Sequence, residues 1–362
     1  MATFPTDGND TITGGSGNDR IDALRGNDFV NGAGGNDTLY GGYDRDTLRG
    51  GDGNDSLDGG GATFYDSSSD ALYGDAGNDT LLGGNGADTL DGGTGNDSLN
   101  GWNGNDILYG NRGNDRVDGG AGADTLLGSL STSVREDTLF VVDNSGDKIV
   151  DLSGTGIETV LAYISWDLRV SWNPNNFNQQ NATSGLDHLT LAGSAVNGTG
   201  NQVDNTITGN GLNNTLNGLE GNDRLLGRGG DDNLLGGFGN DSLMGEDGTD
   251  RLNGYGTTVT SASQFDTLDG GAGVDYFILG GAWGISYVEP GDGYAVINNW
   301  DWANDWVDVR GSGTNASQFR LDKFRSVVGG AGLDTEIYYG SERIGIVQDT
   351  TNVEIGRDFR FT

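Results

Sequence analysis

Apolar side chains recur along most of this chain with a period of nine residues, and in the clearest copies each lies between two polar ones. In the stretch Gly92 to Asn100, which reads GGTGNDSLN, Leu99 lies between Ser98 and Asn100. Because the side chains of a strand alternate between its two faces, this pattern predicts a three-residue strand that points Leu99 inward. A short unit at a fixed period predicts a solenoid, in which every unit meets its neighbours in the same way.

Each predicted strand follows a glycine-rich turn that carries one aspartate, Asp97 in this copy. Glycine adopts left-handed backbone conformations readily, so Gly92, Gly93 and Gly95 allow a tight turn whose carbonyl groups face one point. Carbonyl and carboxylate oxygens together suit a hard cation with about six to eight oxygen ligands, which favours Ca²⁺ over Mg²⁺. The unit therefore predicts half of a calcium site beside half of a hydrophobic core.

The unit occurs in two arrays, and the first runs from Pro5 to Leu127. If an insertion within Gly59 to Tyr73 is left out, it contains thirteen units. Agreement at two positions of every unit argues against a disordered acidic chain. The sixth positions are Asp10, Asp19, Asp28, Asp37, Asp46, Asp55, Asp70, Asp79, Asp88, Asp97, Asp106, Asp115 and Asp124. The eighth positions, predicted to face inward, are Ile12, Ile21, Val30, Leu39, Leu48, Leu57, Leu72, Leu81, Leu90, Leu99, Leu108, Val117 and Leu126.

The second array runs from Gly200 to Ile278 and contains eight units around an insertion between Gly254 and Asp269. Its first two units carry an amide in place of the carboxylate, so we expect them to begin the stack without a full set of ions. The sixth positions are Asn205, Asn214, Asp223, Asp232, Asp241, Asp250, Asp266 and Asp275. The eighth positions are Ile207, Leu216, Leu225, Leu234, Leu243, Leu252, Leu268 and Phe277.

The remaining residues lack the repeat but keep short β-rich segments. Between the arrays, such segments predict strands, and the Asn- and Gln-rich stretch from Trp172 to Gly185 predicts an exposed loop. After the second array we expect a compact β-domain that closes the solenoid. The predicted domains are 1–127, 128–199, 200–279 and 280–362. The predicted strands outside the arrays are Asp137 to Asp143, Lys148 to Leu152, Glu158 to Ile164, Tyr294 to Asn298, Trp306 to Val309, Thr335 to Tyr339 and Ile344 to Val347.

Composition sharpens this interpretation. The chain has 54 acidic and 19 basic residues, a formal charge of −35 and 69 glycines. Such a charge favours cations as partners and disfavours nucleic acid and anionic membrane surfaces. Cysteine is absent, so disulfides cannot support the fold. We also identify no amino-terminal signal and no apolar stretch long enough to span a bilayer.

With the nonapeptides written out, the chain resembles the RTX family of hemolysin-type calcium-binding repeat proteins. The stretch from Leu186 to Asn210 resembles the modules that bridge such arrays, and the end of the chain resembles the carboxy-terminal domain of bacterial members. The terminal sequence DFRFT departs from the usual family ending. The resemblance implies a right-handed parallel β-roll with two nonapeptides per coil. It also implies multiple Ca²⁺ ions, each held between one turn and the turn a coil later.

In that arrangement the calcium ligands would be backbone carbonyls and the sixth-position aspartates. Asp97 would be paired with Asp79 and Asp115, eighteen residues away in each direction. The predicted metal ligands are all thirteen sixth-position aspartates of the first array together with Asp223, Asp232, Asp241, Asp250, Asp266 and Asp275. The resemblance further implies a chain that stays unfolded in the cytosol and folds in millimolar extracellular calcium after export through a bacterial channel.

We therefore expect a secreted, non-catalytic protein of the cell surface or extracellular matrix. An enzyme is one alternative, but His188 is the single histidine, which excludes an HExxH zinc helix, and no GxSxG elbow occurs. Glycoside hydrolysis needs only two carboxylates and stays open. Two further alternatives are a calcium-dependent secretion module and an adhesin. For the adhesin, a sugar platform would use Trp283, Trp300, Trp302 and Trp306, whose other interpretation is core packing. Self-assembly through the repeated edges is also open.

Overall fold

A computed structural model describes residues 5–60, 66–129, 135–151, 156–170, 185–255, 264–281, 284–285, 293–309, 316–325, 334–348, 350 and 352–361. The chain divides into two compact units. The first comprises Met1–Ile164 and Arg169–His188, and the second comprises Ser165–Leu168 and Leu189–Thr362. The expected loop from Trp172 to Gly185 falls almost entirely outside the described residues, as does Trp283. The four predicted domain boundaries remain a prediction.

Short strands make up nearly all of the described secondary structure. The strands up to residue 162 are β1 (Thr11–Thr13), β2 (Arg20–Asp22), β3 (Phe29–Gly34), β4 (Thr38–Gly42), β5 (Thr47–Asp52), β6 (Ser56–Gly60), β7 (Ala71–Ala76), β8 (Thr80–Asn85), β9 (Thr89–Thr94), β10 (Ser98–Asn103), β11 (Ile107–Arg112), β12 (Arg116–Asp118), β13 (Thr125–Leu127), β14 (Leu139–Val142), β15 (Lys148–Val150) and β16 (Glu158–Ala162).

The later strands are β17 (Trp166–Asp167), β18 (Leu186–Leu191), β19 (Asn197–Thr199), β20 (Thr206–Thr208), β21 (Thr215–Glu220), β22 (Arg224–Gly229), β23 (Asn233–Phe238), β24 (Ser242–Gly248), β25 (Arg251–Tyr255), β26 (Gln264–Gly273), β27 (Tyr276–Gly281), β28 (Gly284–Ile285), β29 (Gly293–Asn298), β30 (Trp306–Val309), β31 (Phe319–Arg325), β32 (Asp334–Tyr339), β33 (Glu342–Val347) and β34 (Phe359–Arg360). Two 3₁₀ turns (Leu168–Val170, Ala316–Gln318) and one short helix, α1 (Ile355–Asp358), complete the described elements. None of these described helices is long and apolar enough to cross a bilayer.

In the first unit, alternate strands build two parallel sheets. The odd-numbered strands β1 to β15 form one sheet in sequence order, and successive even-numbered strands pair in the same way. Leu99 on β10 lies opposite Leu81 on β8 and Val117 on β12, each eighteen residues away. One coil therefore consists of two nonapeptides, which confirms the predicted parallel β-roll.

The second unit repeats this plan. One sheet runs β17–β19–β21–β23–β25–β27–β30–β34, and strands β20, β22, β24, β26, β29 and β33 pair in parallel in the other. Phe277 pairs with Val307, which pairs with Phe359, so the last strands continue the roll as further rungs. Antiparallel pairing joins β31 to β32 and β32 to β33. All the strands predicted outside the arrays are confirmed within one or two residues of their ends.

The core is a ladder of eighth-position side chains. Every eighth position of both arrays is buried except Ile21, in the first coil, which is half-buried. The alternation along each strand puts the seventh and ninth positions on the outer face, as for Thr89 and Asp91 around Leu90. Because each coil buries so few apolar side chains, hydrophobic burial alone gives a coil little stability against the entropy of ordering it.

Candidate metal centres

The sixth-position aspartates form a hydrogen-bonded ladder from coil to coil. The backbone N–H of Asp79 donates to Oδ1 of Asp97 at 2.8 Å, and that of Asp97 donates to Oδ1 of Asp115 at 2.9 Å. In the second unit, the N–H of Asp250 donates in the same way to Oδ1 of Asp275 at 3.0 Å. The structure thus brings these aspartates beside those a coil away, as the family resemblance implies.

The ladder passes undisturbed across both insertions. The N–H of Asp46 donates to Oδ1 of Asp70 at 2.8 Å, although 24 residues separate the two. The N–H of Asp241 donates to Oδ1 of Asp266 at 2.9 Å across 25 residues. The stacking of the coils is therefore intact on either side of the extra residues.

Two members of the ladder, Asp147 and Asp305, are not predicted from the sequence. Oδ1 of Asp147 accepts the N–H of Asp124 at 3.0 Å, and Oδ1 of Asp305 accepts the N–H of Asp275 at 3.1 Å. Neither aspartate follows a glycine-rich turn. The available signal is the pattern Asp, any residue, apolar, as in Asp305-Trp306-Val307, which matches positions six to eight of the repeat.

Most of the turns share an unusual backbone conformation, which we call the open turn. Its second and fourth residues are both left-handed, as are Gly93 (φ 99°) and Gly95 (φ 133°) before Asp97. The second position keeps this conformation when it is not glycine, as at Leu24 (φ 79°) and Trp102 (φ 77°). Left-handed backbone costs a residue with a side chain about 1 kcal/mol, so the stack imposes the open turn on these residues.

In an open turn, oxygen atoms of two successive coils face one another. A Cβ atom built on Gly83 would lie 2.6 Å from Oδ2 of Asp88, in its own turn, and 2.9 Å from the carbonyl oxygen of Gly101, one coil later. Cβ atoms on Gly93 and Gly95 would clash with the carbonyls of Asp75 and Gly77, one coil earlier. Glycine is therefore needed for close approach, and the space between coils is bordered by carboxylate and carbonyl oxygens.

The inner carboxylate oxygen of most open turns has no hydrogen-bond donor among the described residues. A buried carboxylate oxygen that faces only acceptors is strongly unfavourable unless a cation lies beside it. Backbone carbonyls and such carboxylates are the ligands that Ca²⁺ takes in proteins. These unpartnered, buried Oδ2 atoms belong to Asp28, Asp37, Asp46, Asp55, Asp79, Asp88, Asp97, Asp106, Asp115, Asp124, Asp223, Asp232, Asp241 and Asp250.

The remaining predicted ligands of the central turns occupy equivalent places. Asp70, Asp266 and Asp275 are buried and accept the ladder hydrogen bond. A Cβ atom on Gly59 would lie 2.8 Å from Oδ2 of Asp70 and 2.6 Å from the carbonyl oxygen of Gly83. The described residues contain no group of three or more His, Asp or Glu side chains gathered around one point. Each candidate centre instead combines carboxylates and carbonyls from two coils.

The turns nearest the ends of each stack are different, and we call them closed turns. Oδ2 of Asp10 accepts the N–H of Thr6 at 2.6 Å, and Oδ2 of Asp19 accepts that of Gly15 at 2.6 Å. Asp147 and Asp305 accept backbone N–H groups of their own turns in the same way. The second and fourth positions of these turns are not left-handed. In a closed turn a backbone N–H donates to the Oδ2 atom of the aspartate. In most open turns the same atom has no donor among the described residues.

The two asparagine turns of the second array are also closed. Oδ1 of Asn205 accepts the N–H of Asn201 at 2.8 Å, and Oδ1 of Asn214 accepts that of Asn210 at 2.8 Å. Both residues still enter the ladder, since their own N–H groups donate to Asp223 and Asp232. This geometry supports the expectation that these turns begin the stack without a full set of ions.

Burial perturbs the carboxylates of the open turns. Loss of solvent, together with the charges of Asp115 and Asp79 and against the ladder hydrogen bond, raises the pKa of Asp97 to about 7. Burial and the neighbouring charge of Asp266 raise the pKa of Asp241 to about 8. Without a cation, Asp97 and Asp241 therefore take up protons near neutral pH, and a divalent ion would take the place of these protons.

A second ladder, on the fifth position, is absent from the sequence interpretation. Oδ1 of Asn78 accepts the N–H of Asn96 at 2.8 Å, and Oδ1 of Asn96 accepts the N–H of Asn114 at 2.9 Å. In the second unit Asp204 takes this place and accepts the N–H of Asn222 at 2.7 Å. The signal was the frequent asparagine before the sixth-position aspartate.

The three described tryptophans of the expected sugar platform make separate contacts. Trp300 packs on Phe277, with ring centres 5.9 Å apart. Trp302 is 56% exposed, with the guanidinium of Arg357 5.7 Å from its ring centre. The guanidinium of Arg360 lies 5.4 Å from the ring centre of Trp306, so this residue of the terminal DFRFT segment packs against the roll.

A family model of the RTX calcium-binding nonapeptide repeat matches residues 4–39, 31–62, 65–99, 100–130, 199–234, 226–256 and 258–282. These matches cover more than half of the chain and coincide with the two arrays. A comparison with curated proteins gives no match. The repeats carry the residues and the stacked geometry that multiple Ca²⁺ ions require. The chain belongs to the RTX family of calcium-binding nonapeptide repeat proteins.

Proposed function

We propose that this chain is a secreted, non-catalytic RTX protein whose two β-rolls fold on binding extracellular Ca²⁺ and serve as a structural component of the cell surface or matrix. The observation that carries the proposal is the row of buried, unpartnered Oδ2 atoms in the open turns. The RTX β-roll is itself a non-catalytic type of fold, and its acidic side chains are used by the stack.

The proposed ligands are the nineteen sixth-position aspartates together with backbone carbonyls. Bound Ca²⁺ would supply the positive charge that the facing oxygens lack and would link successive coils. The open-turn aspartates need no rearrangement to present Oδ2. Asp10 and Asp19 would first have to release the amides of Thr6 and Gly15. We therefore assign the strongest binding to the open turns.

Folding would be coupled to calcium because the roll without ions is weakly stabilised. The buried carboxylates repel one another along the ladder, as the charges of Asp79 and Asp115 do at Asp97. Only the folded state offers the facing oxygens, so bound calcium adds to stability by mass action. Extracellular calcium sites bind at about 10⁻⁴ to 10⁻³ M, which leaves the chain unfolded in the cytosol and folded outside. This order suits export of an unfolded chain.

Calcium-dependent folding is tested by circular dichroism of the purified chain at free Ca²⁺ from below micromolar to 10 mM, with Mg²⁺ as control. We expect β-structure to appear cooperatively in the millimolar range with Ca²⁺ only. A folded roll in excess chelator at pH 8 would contradict the proposal. Antibody labelling of intact producing cells, compared with lysed cells, tests the extracellular location. Signal that appears only after lysis would contradict that part.

A further inference from the structure

The turns of Asp70 and Asp266 adjoin the two insertions, and we call them the insertion turns. Each contains one buried side-chain oxygen that the repeat does not predict and that has no hydrogen-bond donor among the described residues. These oxygens are Oδ2 of Asp66 and Oε1 of Gln264. The other buried oxygens without a donor that are described in the two arrays belong to sixth or ninth positions. This pair is therefore specific to the insertion turns.

Gln264 reaches from its own coil to the coil before it. The residue is 2% exposed, and its Nε2 donates to the carbonyl oxygen of Gly237 at 3.1 Å. Gly237 belongs to the turn of Asp241, whose Oδ2 is also buried without a donor. The hydrogen bond of Nε2 fixes the side-chain amide between the two coils and leaves Oε1 without a partner. A buried oxygen in this state is unfavourable unless a cation lies beside it.

Asp66 takes a similar place in the first unit. The N–H and Oγ of Ser68 donate to its Oδ1 at 3.1 Å and 2.6 Å, which holds the carboxylate in place. Burial, and in addition the charge of Asp66, raises the pKa of three successive sixth-position aspartates, Asp46, Asp70 and Asp88. The carboxylate of Asp66 therefore lies beside this row. Oδ2 of Asp46 and Oδ2 of Asp88 are themselves buried without a donor.

Burial of the two extra oxygens favours an ion over water as their partner. A water molecule does not reach either atom. Ca²⁺ holds its oxygen ligands at about 2.3–2.6 Å, closer than the roughly 2.7–2.8 Å between two hydrogen-bonded oxygens. It accepts the amide oxygen of glutamine as well as carboxylate oxygens. An ion between two coils can therefore contact oxygens that solvent cannot.

We propose that Asp66 and Gln264 are calcium ligands, each contributed to an ion bound between its insertion turn and a neighbouring coil. For Gln264, the hydrogen bond to Gly237 identifies that coil as the earlier one. The inference rests on the proposed function and deepens it, because it adds two side chains from outside the repeat to the sixth-position aspartates and backbone carbonyls. A coil that carries an insertion thereby gains an additional link to its neighbour.

The first test is a crystal structure of the full chain in 10 mM Ca²⁺, with the ions identified by the anomalous signal of calcium. We expect Oδ2 of Asp66 and Oε1 of Gln264 to lie about 2.3–2.6 Å from an ion. Ions in the neighbouring turns that leave both oxygens without contact would overturn the proposal. This result does not depend on whether any variant folds.

Variants test the same ligands in solution by equilibrium dialysis with ⁴⁵Ca²⁺. Gln264→Leu keeps most of the side-chain volume and removes the oxygen, and Asp66→Ala removes the carboxylate. The matched controls are Asn253→Leu, a buried amide at a ninth position, and Asp52→Ala, an exposed acid of the first array. We expect each ligand variant to weaken one ion at least about tenfold. At the lowest Ca²⁺ that fills the wild-type chain, it then holds one ion fewer, and the controls keep the full count.

Gln264→Glu separates a calcium ligand from a merely structural amide. A carboxylate offers Ca²⁺ an oxygen but cannot donate to the carbonyl of Gly237. A ligand role therefore predicts a full ion count, whereas a structural role predicts the same loss as in Gln264→Leu and overturns the proposal. Equal counts for the ligand variants and their controls overturn it too. A wild-type chain that neither binds Ca²⁺ nor folds refutes the proposed function as well, so the two failures are distinguishable.

Discussion

The backbone N–H of Asp97 lies 2.9 Å from Oδ1 of Asp115, while Oδ2 of the same carboxylate has no donor among the described residues. One oxygen therefore holds two coils in register, and the other is left for a cation. This division of the carboxylate makes stacking and metal binding depend on the same side chain.

Asparagine substitution separates the two oxygens. Asp97→Asn keeps an acceptor for the ladder and replaces the inner oxygen by a donor, so we expect the loss of about one bound ion. Asp19→Asn is the comparison from a closed turn, where the inner oxygen already has a donor in Gly15 and binding should be weaker, so this variant should lower the count by less. Equilibrium dialysis with ⁴⁵Ca²⁺ gives both counts. Equal losses in the two variants would show that open and closed turns do not differ in binding.

Stability should depend on pH in opposite directions with and without calcium. Burial raises the pKa of Asp46 and Asp241 to about 8 and that of Asp97 to about 7 in the ion-free roll. The folded chain then holds more protons than the unfolded chain between about pH 4 and pH 8, so ion-free stability rises as pH falls through that window.

Calcium needs the ionised carboxylates, so its affinity should fall over the same window. The content of β-structure by circular dichroism at each pH from 8 to 5, in chelator and in 10 mM Ca²⁺, measures both trends. If stability in chelator falls with acidification, the buried carboxylates are not protonated in the folded chain as we infer.

Glycine should relieve strain at Leu24. This residue has φ 79° in an open turn and a side chain that is 41% exposed, so Leu24→Gly should stabilise the first unit by about 1 kcal/mol. Leu212 is equally exposed, at 42%, but lies in a closed turn without positive φ. Leu212→Gly should therefore destabilise by about 0.5–1 kcal/mol. Hydrogen exchange in saturating Ca²⁺ reports each unit separately, and a loss of protection in both variants would refute the strain.

The fifth-position ladder should contribute to stacking independently of calcium. Asn96→Ala removes the acceptor for the N–H of Asn114 and should cost about 1 kcal/mol. Asn96→Asp keeps the acceptor, as Asp204 does for Asn222, and should retain most of the stability. Thermal melts in saturating Ca²⁺ compare the three proteins. A cost that is the same for alanine and aspartate would point to side-chain packing instead of this hydrogen bond.

The repeat itself made the roll and the pairing of its sixth-position aspartates from coil to coil predictable. The sixth positions, which are Asp or Asn, and the apolar eighth positions fix a period, and a parallel stack follows because similar units pair in the same way. Asp147 and Asp305 were missed because they lack the glycine frame, yet their Oδ1 atoms accept the same ladder bond. The sequence also does not predict that the turns of Asp10 and Asp19 are closed. The closed state depends on whether the backbone is left-handed two and four residues before the aspartate, and Gly15 and Gly17 allow either conformation.

The uninterrupted ladder across the insertions has a consequence for how such chains diversify. Asp46 donates its backbone N–H to Asp70, and Asp241 donates its own to Asp266, although the intervening chain is longer than in other coils. The spacing between successive coils is therefore set by the hydrogen bond from amide to carboxylate. It does not require the same number of residues in every coil. Turns can acquire new segments one at a time while the scaffold beneath them stays the same, so the roll can serve as a frame that displays variable loops at a constant spacing.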